Sequence, residues 1–365
     1  MKHTLLAMAA AAALLAAGCS SPSSSPRTSG PAGTPGFLGV LGPTRAPGAA
    51  AAPVTVRLGL VTDPSQAPAL AGARQGFFAH ALAPRAHLKL VPFRTSAAEA
   101  AALEAGKLDA AYASPDTILS VCRTSGASFL RIISGAASGG AELVVKPGIS
   151  TPAQLKGQPL AVPSAGGAQD IALRYWLQRQ HLATAPPGRA VTITPIASGA
   201  TAVHDFTTGR IAGAWEPAPY DVEMTSAGGH VLASEASLWP GGQFATTNLI
   251  VTQAFLAHHT PLVLNLLKGQ IQANDYLHHN LPQASLAVST ELTTLTGTHL
   301  PPPVLAASLA QITFTNDPIA ASLATQAQHA TAAGPPQPTA DLTSLYDLTP
   351  LNLLLRAAGE PPVTP

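Results

Sequence analysis

Six short stretches in this chain of 365 residues stand where a strand-like run gives way to a helical one, and Ser, Thr and Gly dominate them: 62–66, 114–115, 138–140, 164–167, 198–201 and 215–217. A helix start leaves backbone N–H groups unpaired, and a hydroxyl beside them completes a small anion cradle without a buried counter-charge. One such terminus contributes roughly 0.3–1 kcal/mol, more where it is partly buried. Several converging on one space are chemistry enough to hold a sulfonate, carboxylate or nitrate group. Glu216, set between Trp215 and Pro217, adds a lone carboxylate. It reads either as a surface loop residue or as a hydrogen-bond acceptor suited to an ammonium or amide. Tyr112 and Trp215 stand open between core aromatics and walls of the same space.

No set of residues for bond-breaking accompanies these loops. The sequence has no Ser-centred nucleophile elbow, no phosphate loop ending Gly-Lys-Ser/Thr and no His-Glu-x-x-His. His258–His259 and His278–His279 are adjacent pairs, and neighbours on a helix point apart, so each reads as solvated face rather than chelate. Neither a metal nor a cofactor is expected. Cys122, in the apolar run 118–122, reads as a small buried residue.

The loops need elements to position them, and two stretches of the chain repeat one design. The first runs strand 88–93, helix to Glu104, Gly106 as a stop, then strand 108–113. Displaced by 103 residues, so that Gly106 falls on Gly209, it overlays strand 191–196, a helix to Thr208 and strand 211–215 without a gap. Pro92 then meets Pro195, Lys107 meets Arg210 and Tyr112 meets Trp215. A long internal period with matching punctuation argues for duplicated structural units. Around the first copy the order strand–helix repeats from residue 54 to 134, which predicts a mostly parallel sheet covered on both faces. One helix is expected over 67–81, a small-residue joint at 136–140, and a return crossover in the extended run 244–252. The spacing therefore predicts two α/β lobes, 54–140 with 250–358 and 141–249 between them, joined by two hinge crossovers. The helices after Thr260 are expected to pack on the first lobe.

The amino end carries an address. Lys2 and His3 precede an apolar run from Leu5 to Ala17, too short for a comfortable bilayer span, and it closes on Leu15-Ala16-Ala17-Gly18-Cys19. Small residues before a cysteine at that place resemble a bacterial lipoprotein lipobox, which implies cleavage before Cys19 and a lipid on its sulfur. Residues 1–19 thus read as a lipoprotein signal and 20–53, rich in Ser, Pro, Gly and Ala without an acidic residue, as a flexible tether. With Cys19 lipidated, Cys122 has no disulfide partner. Charged residues are only 10% of the chain and the net charge is +1, so nothing offers nucleic acid an electrostatic footprint.

Together the signal, the tether, Phe77-Phe78, Gly106-Lys107-Leu108-Asp109, the segment 151–157 and Trp215-Glu216-Pro217 resemble the nitrate/sulfonate/taurine-type solute-binding lipoproteins of ABC importers. The resemblance covers about residues 54 to 358. It implies a type II periplasmic-binding-protein-like fold, a small polar solute clamped between lobes, and a monomer that delivers it to a membrane permease with a cytoplasmic ATPase. Family cleft positions fall on Gln66, Ser114, Ser164, Gly166, Trp215 and Glu216. The loop at Ser114-Pro115 is less Gly-rich than in that family, and no Arg is obviously placed for an oxyanion. A cleft enzyme of the same fold, of pyrimidine-precursor or desulfurisation type, and a ligand-sensing partner of a membrane receptor remain alternatives.

Overall fold

The computed structural model describes residues 52–184, 190–333 and 342–365; the signal run, Cys19 and the tether lie outside the described residues. Alternating burial in β1 (Val54–Val61) puts Val56, Leu58 and Leu60 into the core. After a one-turn 3-10 helix, Pro64–Gln66, the chain makes α1 (Ala67–Arg74) and α2 (Phe77–Leu82), then β2 (Ala86–Phe93) and α3 (Ser96–Glu104). It continues through β3 (Ala110–Ala113), α4 (Pro115–Ser125) and β4 (Leu130–Gly139). The expected single helix over 67–81 breaks at Gly76, whose φ of 76° no longer follows the helix.

A second set of elements follows: β5 (Ala141–Val145), β6 (Pro159–Val162), α5 (Ala168–Arg179), β7 (Thr192–Pro195), α6 (Gly199–Thr208), β8 (Gly213–Pro217), α7 (Tyr220–Ser226) and β9 (His230–Ser234). The remainder is β10 (Ala245–Thr252), α8 (Gln253–His279), α9 (Leu281–Thr296), α10 (Pro302–Ala310), β11 (Ile312–Phe314), α11 (Ala320–Ala333) and α12 (Thr349–Ala357). Inside α8 His259 leaves helical geometry (φ −134°), two residues before Pro261, whose missing N–H and bulky ring break the ladder there.

Two sheets result. One has the order β2-β1-β3-β10-β4-β11 and the other β7-β6-β8-β5-β9. The first five strands match the second sheet place for place. In both, the fourth strand runs antiparallel to its neighbours. In each case that strand comes from chain arriving out of the other half: β10 follows β9, and β5 follows β4. The repeat is real at the level of elements, since α3 and α6 start at Ser96 and Gly199, and β3 and β8 at Ala110 and Gly213.

These exchanges correct two expectations. The first sheet is mixed rather than parallel, and the run read as the return crossover is β10, an interior strand of the first sheet. The return is complete by Ala245. The first crossover is made at Gly139 and Gly140, with φ of 86° and 79°. A Cβ on Gly140 would lie 2.7 Å from Ile312 Cγ1, and one on Gly139 would lie 2.9 Å from the Gln311 carbonyl oxygen. Only glycine takes both that turn and that approach.

Each sheet has apolar cover on two faces. Leu70, Phe78, Leu266 and Val288 pack one side of the first sheet, while Leu103, Ile118 and Val121 pack the other. Trp176 and Trp215 centre one core of the second sheet, and Phe206 with Met224 centres the other. The late helix α11 packs on the first sheet as expected, with Leu323 in its core, but it also reaches the second set of elements. α11 lies along α5, with the His329 ring stacked on Tyr175 at 3.8 Å between centroids and 18° between planes. Among the described residues no helix is long and apolar enough to cross a membrane.

Candidate functional site

The helices that follow β3 and β6 meet across a common boundary, and a hydrogen bond crosses it. Asp116, in the first turn of α4, accepts from the backbone N–H of Ala168 at the start of α5, at 3.1 Å. Tyr220, opening α7, lies within electrostatic reach of Glu216 beside it and of Asp63 and Arg94 on the other set of elements. In open α/β sheets ligands occupy this edge because loops there expose helix starts.

Gln66 sits at that edge, 2% exposed, with Nε2 directed to Thr247 Oγ1 at 3.3 Å and Oε1 without a partner. Ser65 Oγ donates to Asp63 Oδ1 at 2.6 Å and meets Thr247 Oγ1 at 2.9 Å, so the whole turn after β1 is braced. Ser114 caps α4, its Oγ accepting from Thr117 N at 3.3 Å. Ser164 and Gly166 are exposed, and Gly166 N donates to Asp170 Oδ2 at 2.8 Å. Glu216 is 1% exposed with Oε1 unpartnered.

Trp215 belongs elsewhere. It is fully buried in the core of the second sheet, edge-on to Trp176 at 6.3 Å, and its Nε1 donates to Glu235 Oε2 at 2.8 Å. Strand alternation explains the split between neighbours: Trp215 faces the α5 side and Glu216 the opposite one. Tyr112 is likewise core, its hydroxyl bonded to Gln270.

The anion cradle expected from the sequence is largely filled by the chain itself. Ser114, Thr95 and Ser198 cap α4, α3 and α6, and Asp63 Oδ1 accepts from Ser65 N at 2.8 Å. At the start of α5 Ala168 N donates to Asp116, and in the loop before it Gly166 N donates to Asp170. The edge is instead lined by carboxyls short of water. Burial pushes Glu99 up to about 8 although Thr117 donates to it, and pushes Glu235 up to about 8 against the Trp215 N–H. Glu216 rises to about 8 through burial and then through Asp221, which itself rises to about 7. Asp63 reaches about 6, and Asp116 and Glu142 are also raised, burial leading in each case. Asp63, Asp116, Asp221 and Glu235 follow strand ends within a few residues, Glu216 lies at the end of β8 and Glu142 opens β5, whereas Glu99 lies within α3 against β1.

Sequence reasoning reached Glu216 and Gln66 but missed Asp116, Glu142, Tyr220 and Asp221. Acidic residues in a first helical turn are common because the dipole favours them, so Asp116 and Asp221 carried no distinguishing signal. Among the described residues no group of three or more His, Cys, Asp or Glu is arranged to hold a metal ion.

Two sheets of one strand order, each completed by a strand from the other half, define a mixed α/β periplasmic-binding-protein-like fold with two crossovers. The chain belongs to the NMT1-like family, whose model matches residues 49–291. Comparison with curated proteins gives no match. Among solved structures it resembles the periplasmic nitrate-binding protein NrtA from Synechocystis PCC 6803, with a TM-score of 0.69 and 13% identity over 84% of this chain and 89% of that one. It also resembles the alkanesulfonate-binding protein SsuA from Xanthomonas axonopodis pv. citri bound to MOPS, with a TM-score of 0.63 and 19% identity over 82% and 99%. The periplasmic aliphatic sulphonate-binding protein SsuA from Escherichia coli gives 0.61 and 21% over 77% and 86%.

Proposed function

We propose that this chain is the extracytoplasmic solute-binding component of an ABC importer, held at the membrane by a lipid on Cys19 and acting as a monomer. It captures a small polar solute, of the size of a sulfonate, taurine or nitrate, between two lobes and presents it to a permease with a cytoplasmic ATPase. The observation that carries this reading is the boundary where strand ends of both sheets meet, with the chain passing from one sheet to the other at Gly139–Gly140 and returning before Ala245. A solute that touches both sides only when they close shifts the population by its differential affinity. Moving that ratio from 1:99 to 99:1 takes about 5.5 kcal/mol. Gln66, Ser114, Ser164, Gly166 and Glu216 are the contacts assigned, with Trp215 supporting β8 from behind. Binding rather than turnover is the role, and the resemblance to nitrate- and sulfonate-binding structures supports it.

Native mass spectrometry of protein purified without refolding tests the reading. A retained small solute whose mass stays constant on incubation supports it; a solute converted to a new mass favours a cleft enzyme and sinks it.

A further inference from the structure

We infer that the captured solute is a donor-rich cation, bearing an ammonium, amidinium or guanidinium group, and that Glu216 with Glu142 and Asp221 forms its seat. This rests on the solute-binding reading and narrows it. Glu216 and Glu142 are direct partners across the antiparallel β8–β5 pair, so their side chains share one face of the sheet. Asp221, 1% exposed in the first turn of α7, acts on Glu216 and is itself acted on by Glu142. Glu216 Oε1 and Asp221 Oδ2 are both buried without a hydrogen-bond partner. Of the three carboxyls Glu142 alone lines the cavity of about 210 Å³ at the crossover, together with Gln311, Ser138, Ser234 and Thr313, and Gln311 Oε1 is unpartnered as well.

Once Glu216 and Asp221 give up their protons, each of these orphaned oxygens is an acceptor, and the partner that suits them in that state is a donor. No cation acts on Glu142, Glu216 or Asp221, and the three ion pairs among the described residues, Arg57–Asp109, Arg174–Asp170 and Arg210–Asp205, involve none of them. Three carboxyls are not left together in a water-poor site unless they share protons or meet a cation. Beyond Tyr220 stand Asp63 and the exposed Arg94, the one basic group acting on that ring. On the same boundary two amides at the approach to α5, those of Gly166 and Ala168, are taken by Asp170 and Asp116.

The seat holds protons until the cation arrives, so binding releases them. The test is calorimetric titration of the mature chain with agmatine, acetamidine and ethanolamine on one side, and taurine and nitrate on the other. It is run between pH 6.5 and 8.5 in buffers of different ionisation heat, with Glu216→Gln alongside. The expected result is binding of a cationic probe with proton release, tightening as pH rises toward 8, and a loss of roughly tenfold or more in Glu216→Gln. Taurine or nitrate binding that is unchanged in Glu216→Gln, or that tightens as pH falls, overturns the inference while the solute-binding reading stands. No binding from either set, with no solute retained in native mass spectra, overturns both.

Discussion

Trp215 and Glu216 are neighbours in sequence and opposites in role. The indole sits in a closed core with its one polar atom spent on Glu235, while the carboxylate next to it is buried with an oxygen unspent. Trp215→Ala removes a large core side chain and also takes its N–H away from buried Glu235. Loss of stability of about 3–5 kcal/mol is expected, read from urea unfolding midpoints at constant slope. Gly140→Ala acts through geometry. The new Cβ meets Ile312 Cγ1 at 2.7 Å in a backbone with φ of 79°, so the crossover must shift. A loss of about 1–3 kcal/mol follows, again from urea midpoints, and Gly148→Ala, with similar φ but nothing near its Cβ, should lose less.

At the scale of elements, the boundary between the strand ends carries its own pH response. Glu99, Glu216, Glu235 and Asp221 titrate in the folded chain at about 8, 8, 8 and 7, far above the 4.5 or 3.8 of a free carboxyl. Between those limits the folded chain keeps protons the unfolded chain has released, so stability falls as pH rises through that range. His329 works in the other sense at and below pH 6.5, because burial lowers its folded pKa. The clean window is therefore pH 6.5 to 8, and calorimetry of solute-free protein should give a lower melting temperature at 8 than at 6.5. α11 supplies the other element-scale expectation. It packs Leu323 on the first sheet and also stacks His329 on Tyr175 and approaches Trp239 at 5.1 Å. His329→Ala should loosen that strap, and a larger radius of gyration in small-angle scattering of the solute-free chain is the check.

For the molecule as a whole, closing on a solute should be visible in tryptophan emission. Of the three tryptophans, Trp176 and Trp215 lie in one core, whereas Trp239 stacks on Phe244 at 5.3 Å, where the chain returns to the first sheet. Solute-induced change in emission is expected to disappear in Trp239→Phe and persist in Trp176→Phe. The two-sheet plan behind this prediction was legible early. The 103-residue offset matched helix and strand starts in both halves, because Gly stops and apolar periods are local signals. Less legible was the antiparallel fourth strand of each sheet. β10 and β5 pair with strands more than a hundred or some seventy residues away, and period-two burial does not say which sheet a strand will join.

By itself the sequence determined what local chemistry determines: the strands and helices, their stops, the duplicated order, the glycine joint and the loops at strand ends. Tertiary structure alone decided which of those loops' amides are free and which acids lose their water. Those facts depend on what a second, distant segment brings against each group. Asp116 reaching the start of α5, and Glu142 lying beside Glu216, are such meetings, and no spacing along the chain encodes them.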